Sequence, residues 1–270
     1  MCTNLQGITV NQSIYAENIQ NLNVDRGNKT KILSEKEKEP LRSAIGQLGW
    51  LGNQTRPDIS SNICQLSSAY KNATMSDVIF ANKTIKRVKS DKISLNFPKL
   101  KLDEMKLEVH SDASFNNLPN GGSQGGYIVL LCDDDGNAAP IQWQSKRIKR
   151  VVKSTLAAEC LALEEAVDYA YYVKCMIMEI LNITADKIRM DCYIDNKSLH
   201  DVLHSSTNSS TDKRLVQDIS LIKEMMNKNE INSVNFVKSK MNLADSLTKN
   251  GASTQLLEEF IRNGSIKCLR

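Results

Sequence analysis

Leu41, Ile45, Leu48 and Leu51 recur at intervals of three and four residues, the spacing that gathers apolar side chains on one face of a helix. Thr55-Arg56-Pro57-Asp58 interrupts the pattern before Ile59, Ile63 and Leu66 resume it, and a further helix is predicted over 76–88 behind Asp77. Residues 39–92 therefore read as a small helical unit, followed by a basic connector containing Pro98. Beyond residue 100 the period falls to two. Leu107 and Val109 alternate with polar neighbours in a strand predicted over 105–111, and 125–132 is a second, almost continuously apolar strand. Asp133-Asp134-Asp135-Gly136-Asn137 offers the residue types that accept positive φ in a hairpin turn, and 139–145 makes the third strand. The glycine-rich stretch 121–126 lacks the Lys-Ser/Thr of a phosphate loop and is expected to be a flexible connector.

A long helix follows over 154–181, then a strand over 188–194 that opens into a helix at Asn196, a helix over 212–227, a strand over 233–237 and a last helix from Asn242. Three strands joined by short turns form an antiparallel meander, and a helical crossover makes the next strand parallel. The predicted class is α/β, with a mixed five-stranded sheet of three antiparallel strands and then parallel ones, flanked by helices and preceded by the helical unit.

Composition sets limits and gives little direction. Lys+Arg 35 against Asp+Glu 31 leaves a net charge of +4, too mild to separate a nucleic-acid binder from a slightly basic enzyme. With 41% hydrophobic and 24% charged residues most of the chain is expected to fold. The longest uncharged apolar runs are less than half of the ~20 residues that a membrane span needs, and no apolar leader opens the chain, so it is expected to be neither secreted nor membrane-embedded. Seven cysteines with no C-x-x-C pair argue against a disulfide framework or zinc ribbon and for a reducing compartment, cytoplasm or nucleus.

The chemistry lies in four carboxylates. Asp112 closes the first predicted strand, Asp195 closes the fourth, Asp245 opens the last helix, and Glu159 sits early in the long helix. Leu156, Cys160, Leu163, Val167 and Ala170 mark that helix's core-facing stripe, and Glu159 lies on it, pointing at the sheet. A buried carboxylate is costly unless a cation neutralises it. Strand ends converge at one edge of the sheet, and acids gathered there with no cationic side chain in their motifs repel one another until a divalent ion binds; all-oxygen ligands suit Mg²⁺ or Mn²⁺.

Five segments in order carry a resemblance: Ser111-Asp112-Ala113-Ser114-Phe115, Gln142-Trp143-Gln144-Ser145-Lys146, Ser154-Thr155-Leu156-Ala157-Ala158-Glu159, Tyr193-Ile194-Asp195-Asn196 and Asn242-Leu243-Ala244-Asp245-Ser246-Leu247-Thr248-Lys249. They resemble the ribonuclease H domain of copia-type retrotransposon Pol polyproteins. Upstream, Arg42–Leu51 with Thr55–Ile59 resembles the helical segment that links the family's reverse transcriptase to its ribonuclease H, and Gln12–Ile19 the end of the reverse transcriptase.

The resemblance implies a ribonuclease H-like fold and hydrolysis of the RNA strand of RNA–DNA hybrids with two Mg²⁺ or Mn²⁺ ions. Asp112 would bridge both ions, Glu159 and Asp195 would each hold one, and Asp245 would complete the second site. Ser114 and Asn196, beside two of the acids, are candidate hybrid contacts. The implied divisions are 1–38, end of reverse transcriptase; 39–100, thumb or connection segment; 101–250, ribonuclease H; and 251–270, C-terminal helix and tail. The chain would begin after the polymerase active site, so it is expected to have no polymerase activity alone. An intact reverse transcriptase or Pol is a candidate partner, in a cytoplasmic virus-like particle or the nucleus; no membrane and no small-molecule cofactor are expected.

Other readings compete. Asn242 with Asp245 three residues on is a helix-start signature that needs no metal, Asp195 is also placed to cap a helix, and Asp112 alone fits a turn; Glu159 has no such explanation. Lys146, Arg147, Lys149, Arg150 and Lys153 put five cations in eight residues, either a solvated face or a contact with hybrid phosphates. Trp143 reads as core or as a stacking platform. His200 and His204 share an i, i+4 spacing but have no third zinc ligand nearby in sequence. Asp133-Asp134-Asp135 lacks the aromatic-x context of the family's polymerase aspartates. Many ribonucleases H carry a histidine just before the last acid; residues 237–242 offer none, Lys238 and Lys240 stand there as candidate phosphate contacts, and His110 is the histidine near the acids. A catalytically idle remnant that keeps the fold and at most binds nucleic acid is the alternative function, and a related-fold integrase or transposase a third.

Overall fold

The computed structural model describes residues 7–25, 28–184, 187–206, 212–249 and 251–267. Strand β1 (Gly7–Val10) and helix α1 (Ser13–Asn18) precede three helices, α2 (Glu35–Gln54), α3 (Ser60–Ala69) and α4 (Met75–Ser90). The apolar spacing in the sequence becomes their shared core: Leu41, Leu48, Leu51, Ile59, Leu66 and Ile85 are fully buried together. Acidic residues three positions in close two helix starts, Glu37 accepting from the Ser34 amide at 2.8 Å and Asp77 from the Thr74 amide at 2.7 Å. The Arg56-Pro57-Asp58 interruption closes on itself. The Arg56 guanidinium forks onto buried Asp58 at 2.8 and 2.9 Å, and Arg87 bridges Asp58 to Glu258 at 2.9 and 2.7 Å. β1 pairs antiparallel with β2 (Leu95–Pro98), a ribbon too short and too rich in Asn, Gly and Pro to show period two.

The main sheet contains β3 (Lys106–Leu118), β4 (Gly122–Cys132), β5 (Ala138–Arg147), β6 (Arg189–Ile194) and β7 (Ser233–Phe236), in spatial order β5-β4-β3-β6-β7. β3, β4 and β5 form the antiparallel meander, and β6 and β7 run parallel to β3. This is the ribonuclease H-like arrangement that the resemblance implies. The long helix α5 (Thr155–Leu181), started by the Ser154 hydroxyl accepting from the Ala157 amide at 3.2 Å, lays Cys160, Leu163, Val167 and Ala170 on Leu107, Val109, Cys192 and Ile194. Helices α6 (Lys197–His204) and α7 (Lys213–Asn227) extend that layer. The opposite face is covered by α8 (Asp245–Thr248) and α9 (Gln255–Asn263), whose Leu247, Leu257, Phe260 and Ile261 meet Ile128, Leu130 and Trp143.

Three expectations are corrected. The strand predicted over 125–132 begins at Gly122, so 122–124 is strand and not flexible connector; within it a Cβ on Gly126 would stand 2.8 Å from Leu247 Cβ and 2.9 Å from Thr248 Cγ2, so glycine lets α8 lie directly on the sheet. Asp112 does not close its strand, since β3 runs on to Leu118. The last helix is split into one turn and a separate α9; Asn242 is buried, accepts from the Ala244 amide at 3.1 Å and donates to the Ser111 carbonyl at 2.9 Å, so it holds the segment to β3 instead of starting a long helix. The aspartate run is the hairpin turn expected, with buried Asp133 accepting from the Asn137 amide and side chain, both at 3.0 Å. The described cysteines are free, and no helix among the described residues is long and apolar enough to cross a membrane.

Trp143 is core. Its indole N–H donates at 2.8 Å to the Gly52 carbonyl in the last turn of α2, where helix carbonyls lack an intrahelical partner. Trp143→Phe keeps most of the packing but leaves that buried carbonyl unpaired, so it is expected to lower stability by about 1–2 kcal/mol, measured by urea unfolding followed by near-ultraviolet circular dichroism.

Candidate active site

The parallel ladder between β3 and β6 ends at His110 opposite Tyr193. Asp112 and Asp195 each lie two residues beyond that pair, and side chains repeat every two residues along a strand, so both project to the same face, side by side. Asp245, the first residue of α8, comes over this face because Asn242 ties the preceding turn to Ser111 and glycine at 126 admits the helix. One carboxylate oxygen from each of Asp112, Asp195 and Asp245 lies within 4.8 Å of the others. Glu159 approaches from α5 and is buried; it stands outside that tight group, yet close enough for the charges of Asp112 and Asp195 to act on it.

The electrostatics are those of crowded, desolvated acids. Burial first, then the Asp195 charge, pushes the Asp112 carboxyl up to about 8, against the opposing pull of Lys249 and the Thr248 hydroxyl. Burial, then Asp112 and Asp195, pushes Glu159 up to about 9. Asp112 Oδ1 and Glu159 Oε2 are buried without a hydrogen-bond partner, while Thr248 Oγ1 donates to Asp112 Oδ2. Orphaned carboxylate oxygens beside a three-acid oxygen cluster fit a hard divalent cation, and Asp112, Glu159, Asp195 and Asp245 are the residues that would hold it.

One cationic side chain does stand among the acids, against the expectation that their motifs contain none. Lys249 Nζ is hydrogen-bonded to Asp245 Oδ1 and lies 3.6 Å from Asp112 Oδ1 and 3.9 Å from Asp195 Oδ2. Burial would lower its pKa, but the Asp112 charge and the bond to Asp245 outweigh that and raise it. The signal was present in the sequence: Lys249 follows Asp245 by four residues, within the spacing at which helical side chains meet.

Other candidates are placed differently. Asn196 caps α6, accepting from the Leu199 amide at 3.0 Å, and Ser114 is half-buried on β3 beyond Asp112. In the basic segment Lys146 is paired with Glu165, Arg150 forks onto nearly buried Asp218, Lys153 lies 3.9 Å from Asp212, and Arg147 donates to the Pro119 carbonyl at 3.0 Å; Lys149 is exposed. Most of these cations therefore serve the segment's own folding. His110 is buried and stacked on Tyr193 with ring centroids 4.9 Å apart, and burial pushes its pKa down to about 4. The His200 and His204 rings lie 4.3 Å apart, tilted by 30°, and His204 Nδ1 is engaged by the His200 carbonyl at 2.8 Å. Lys238 and Lys240 are exposed.

No protein-family profile matches the chain. It is similar to a transposon Ty5-1 protein of Saccharomyces cerevisiae, 29% identical over 136 residues. The match covers 49% of this chain and 42% of that protein, so the chain spans less than half of its relative's length. Among solved structures, the chain is similar to RNase H1 from the halophilic archaeon Halobacterium salinarum, with 16% identity over 57% of this chain and 98% of that one and a TM-score of 0.38. It is also similar to the foamy viral protease-reverse transcriptase in complex with an RNA/DNA hybrid, with 12% identity over 90% of this chain and 29% of that one and a TM-score of 0.46.

Proposed function

We propose that this chain is a metal-dependent ribonuclease H that hydrolyses the RNA strand of RNA–DNA hybrids, from the C-terminal part of a copia-type Pol. The observation that carries the reading is the convergence of Asp112, Asp195 and Asp245, with their oxygens within 4.8 Å, beside buried Glu159. The likeness to a transposon Ty5-1 protein supports the retrotransposon origin. Within it, residues 1–38 are assigned to the end of a reverse transcriptase, 39–100 to the connection segment, 101–250 to the hydrolase and 251–270 to its C-terminal tail, the whole working in the cytoplasm or nucleus.

The chain's residues divide the work. Asp112, Glu159, Asp195 and Asp245 would hold two Mg²⁺ or Mn²⁺ ions, which when bound activate water and stabilise charge on the phosphate. The Thr248 hydroxyl fixes Asp112 Oδ2, leaving Oδ1 to face the cluster. The Asn242 side chain anchors the turn before α8 to β3 and so holds Asp245 in place. Among the described residues, exposed Lys149, Lys153, Lys238 and Lys240, together with Ser114, would meet the hybrid's backbone. The test is release of labelled RNA by the full chain with Mg²⁺ or Mn²⁺. Cleavage of the RNA in hybrid, but of neither single-stranded nor double-stranded RNA, is expected; absence of metal-dependent cleavage refutes the assignment.

A further inference from the structure

Lys249 occupies the position where the acid cluster needs positive charge. Its ammonium contacts the same three carboxylates whose oxygens converge within 4.8 Å: it bonds to Asp245, and stands 3.6 Å from Asp112 and 3.9 Å from Asp195. The Asp112 oxygen that faces it, Oδ1, is buried and without a hydrogen bond, so that contact is charge alone. The lysine side chain is still 39% exposed, whereas that of Asp112 is 1% exposed. The acids are fixed by strand, helix and hydrogen bonds; the lysine comes in from solvent on a flexible stem.

We propose that Lys249 is the resident counter-ion of the metal-free acid cluster, and that its ammonium and a divalent ion hold the same carboxylate oxygens in turn, metal loading releasing Lys249 to solvent. The proposal rests on reading the cluster as a metal site. A single ammonium balances only part of the charge that the cluster carries once all its acids are ionised, so a divalent ion gains by replacing it. The ammonium and an ion compete, because both would sit on the same oxygens of Asp112, Asp195 and Asp245, and their like charges add repulsion there. Lys249 is thus a positioning residue. It holds the acids together before the ion arrives, and it weakens the affinity for the ion by as much as it stabilises the empty cluster.

The test uses the full chain with Lys249→Gln and Lys249→Arg variants, titrated calorimetrically with MnCl₂ and MgCl₂. Lys249→Gln is expected to bind Mn²⁺ about tenfold more tightly than the parent and to melt at a lower temperature without metal, while Lys249→Arg stays near the parent. A second readout needs no variant: acylation of Lys249 by an amine reagent, followed by peptide mass analysis, is expected to accelerate several-fold in saturating Mg²⁺, with exposed Lys149 as the internal reference. Equal or weaker Mn²⁺ binding by Lys249→Gln, together with metal-independent labelling of Lys249, overturns the proposal and leaves the assigned function standing. Failure of every protein to bind either ion overturns both.

Discussion

Asp112→Asn is expected to slow release of RNA from hybrid by about three orders of magnitude, equivalent to about 4 kcal/mol of transition-state stabilisation, while the protein stays folded. Asp112 shares the oxygen cluster with Asp195 and Asp245 and is the acid that the resemblance places across both ions. An amide of the same shape keeps an oxygen for the Thr248 hydroxyl but removes the charge that would bind the ions. The same change relieves the fold. Burial and the Asp195 charge have pushed Asp112 up to about 8, so its ionised form is one that the empty site resists. At pH 8 without metal, Asp112→Asn is therefore expected to melt at or above the parent temperature. Loss of cleavage with a retained or raised melting temperature separates a functional acid from a structural one, and a variant that cleaves as fast as the parent refutes the role. Activity and melting must be measured on the same preparation.

Much of this was legible in the sequence, for reasons that can be named. The apolar stripe of α5 gives the orientation of Glu159, because Glu159 falls three residues after Leu156 and four before Leu163, on the face that packs on the sheet. Asp112 and Asp195 were legible as acids gathered at one edge of the sheet, because a helical crossover makes β6 parallel; their side-by-side placement follows from the register of β3 on β6, which no local pattern encodes. Strand extents failed at the glycines. A glycine tract looks like a loop when read locally, and only the approach of Leu247 and Thr248 reveals that residue 126 has no side chain because α8 occupies the space. Of the five cations within eight residues of the basic segment, Lys146, Arg150 and Lys153 meet Glu165, Asp218 and Asp212, which come from α5 and from the start and body of α7, far away in sequence. Lys249 stands in the same segment as Asp245, but its charge counts only where Asp112 and Asp195 also reach it, and that placement is set by the tertiary fold.

The stability of the metal-free protein is expected to fall as pH rises from about 5 to 9, and divalent metal to restore it most at the alkaline end. Asp112 and Glu159 start from ordinary values of 3.8 and 4.5 and are raised to about 8 and 9 in the folded chain. Between those limits the folded state keeps protons that the unfolded state has released. Each group therefore makes unfolding easier with rising pH, by at most about 1.4 kcal/mol per pH unit. Lys249 does not cancel this. Its pKa is raised as well, so the stability it contributes is fully present below its ordinary value of 10.5 and stays constant across this window. A bound ion takes the place of the two protons, and its binding releases them, so affinity rises with pH. At a metal concentration of about a hundred times Kd the gain is about 2.7 kcal/mol, a rise of roughly 5–10 °C in melting temperature for a chain of this size. Thermal melts at pH 6, 7.5 and 9, with chelator and with Mg²⁺ or Mn²⁺, provide the comparison. A metal-free melting temperature that is flat or rises with pH would mean that Asp112 and Glu159 are not the strained acids described, and a metal effect that shrinks toward pH 9 would mean that the ion binds elsewhere.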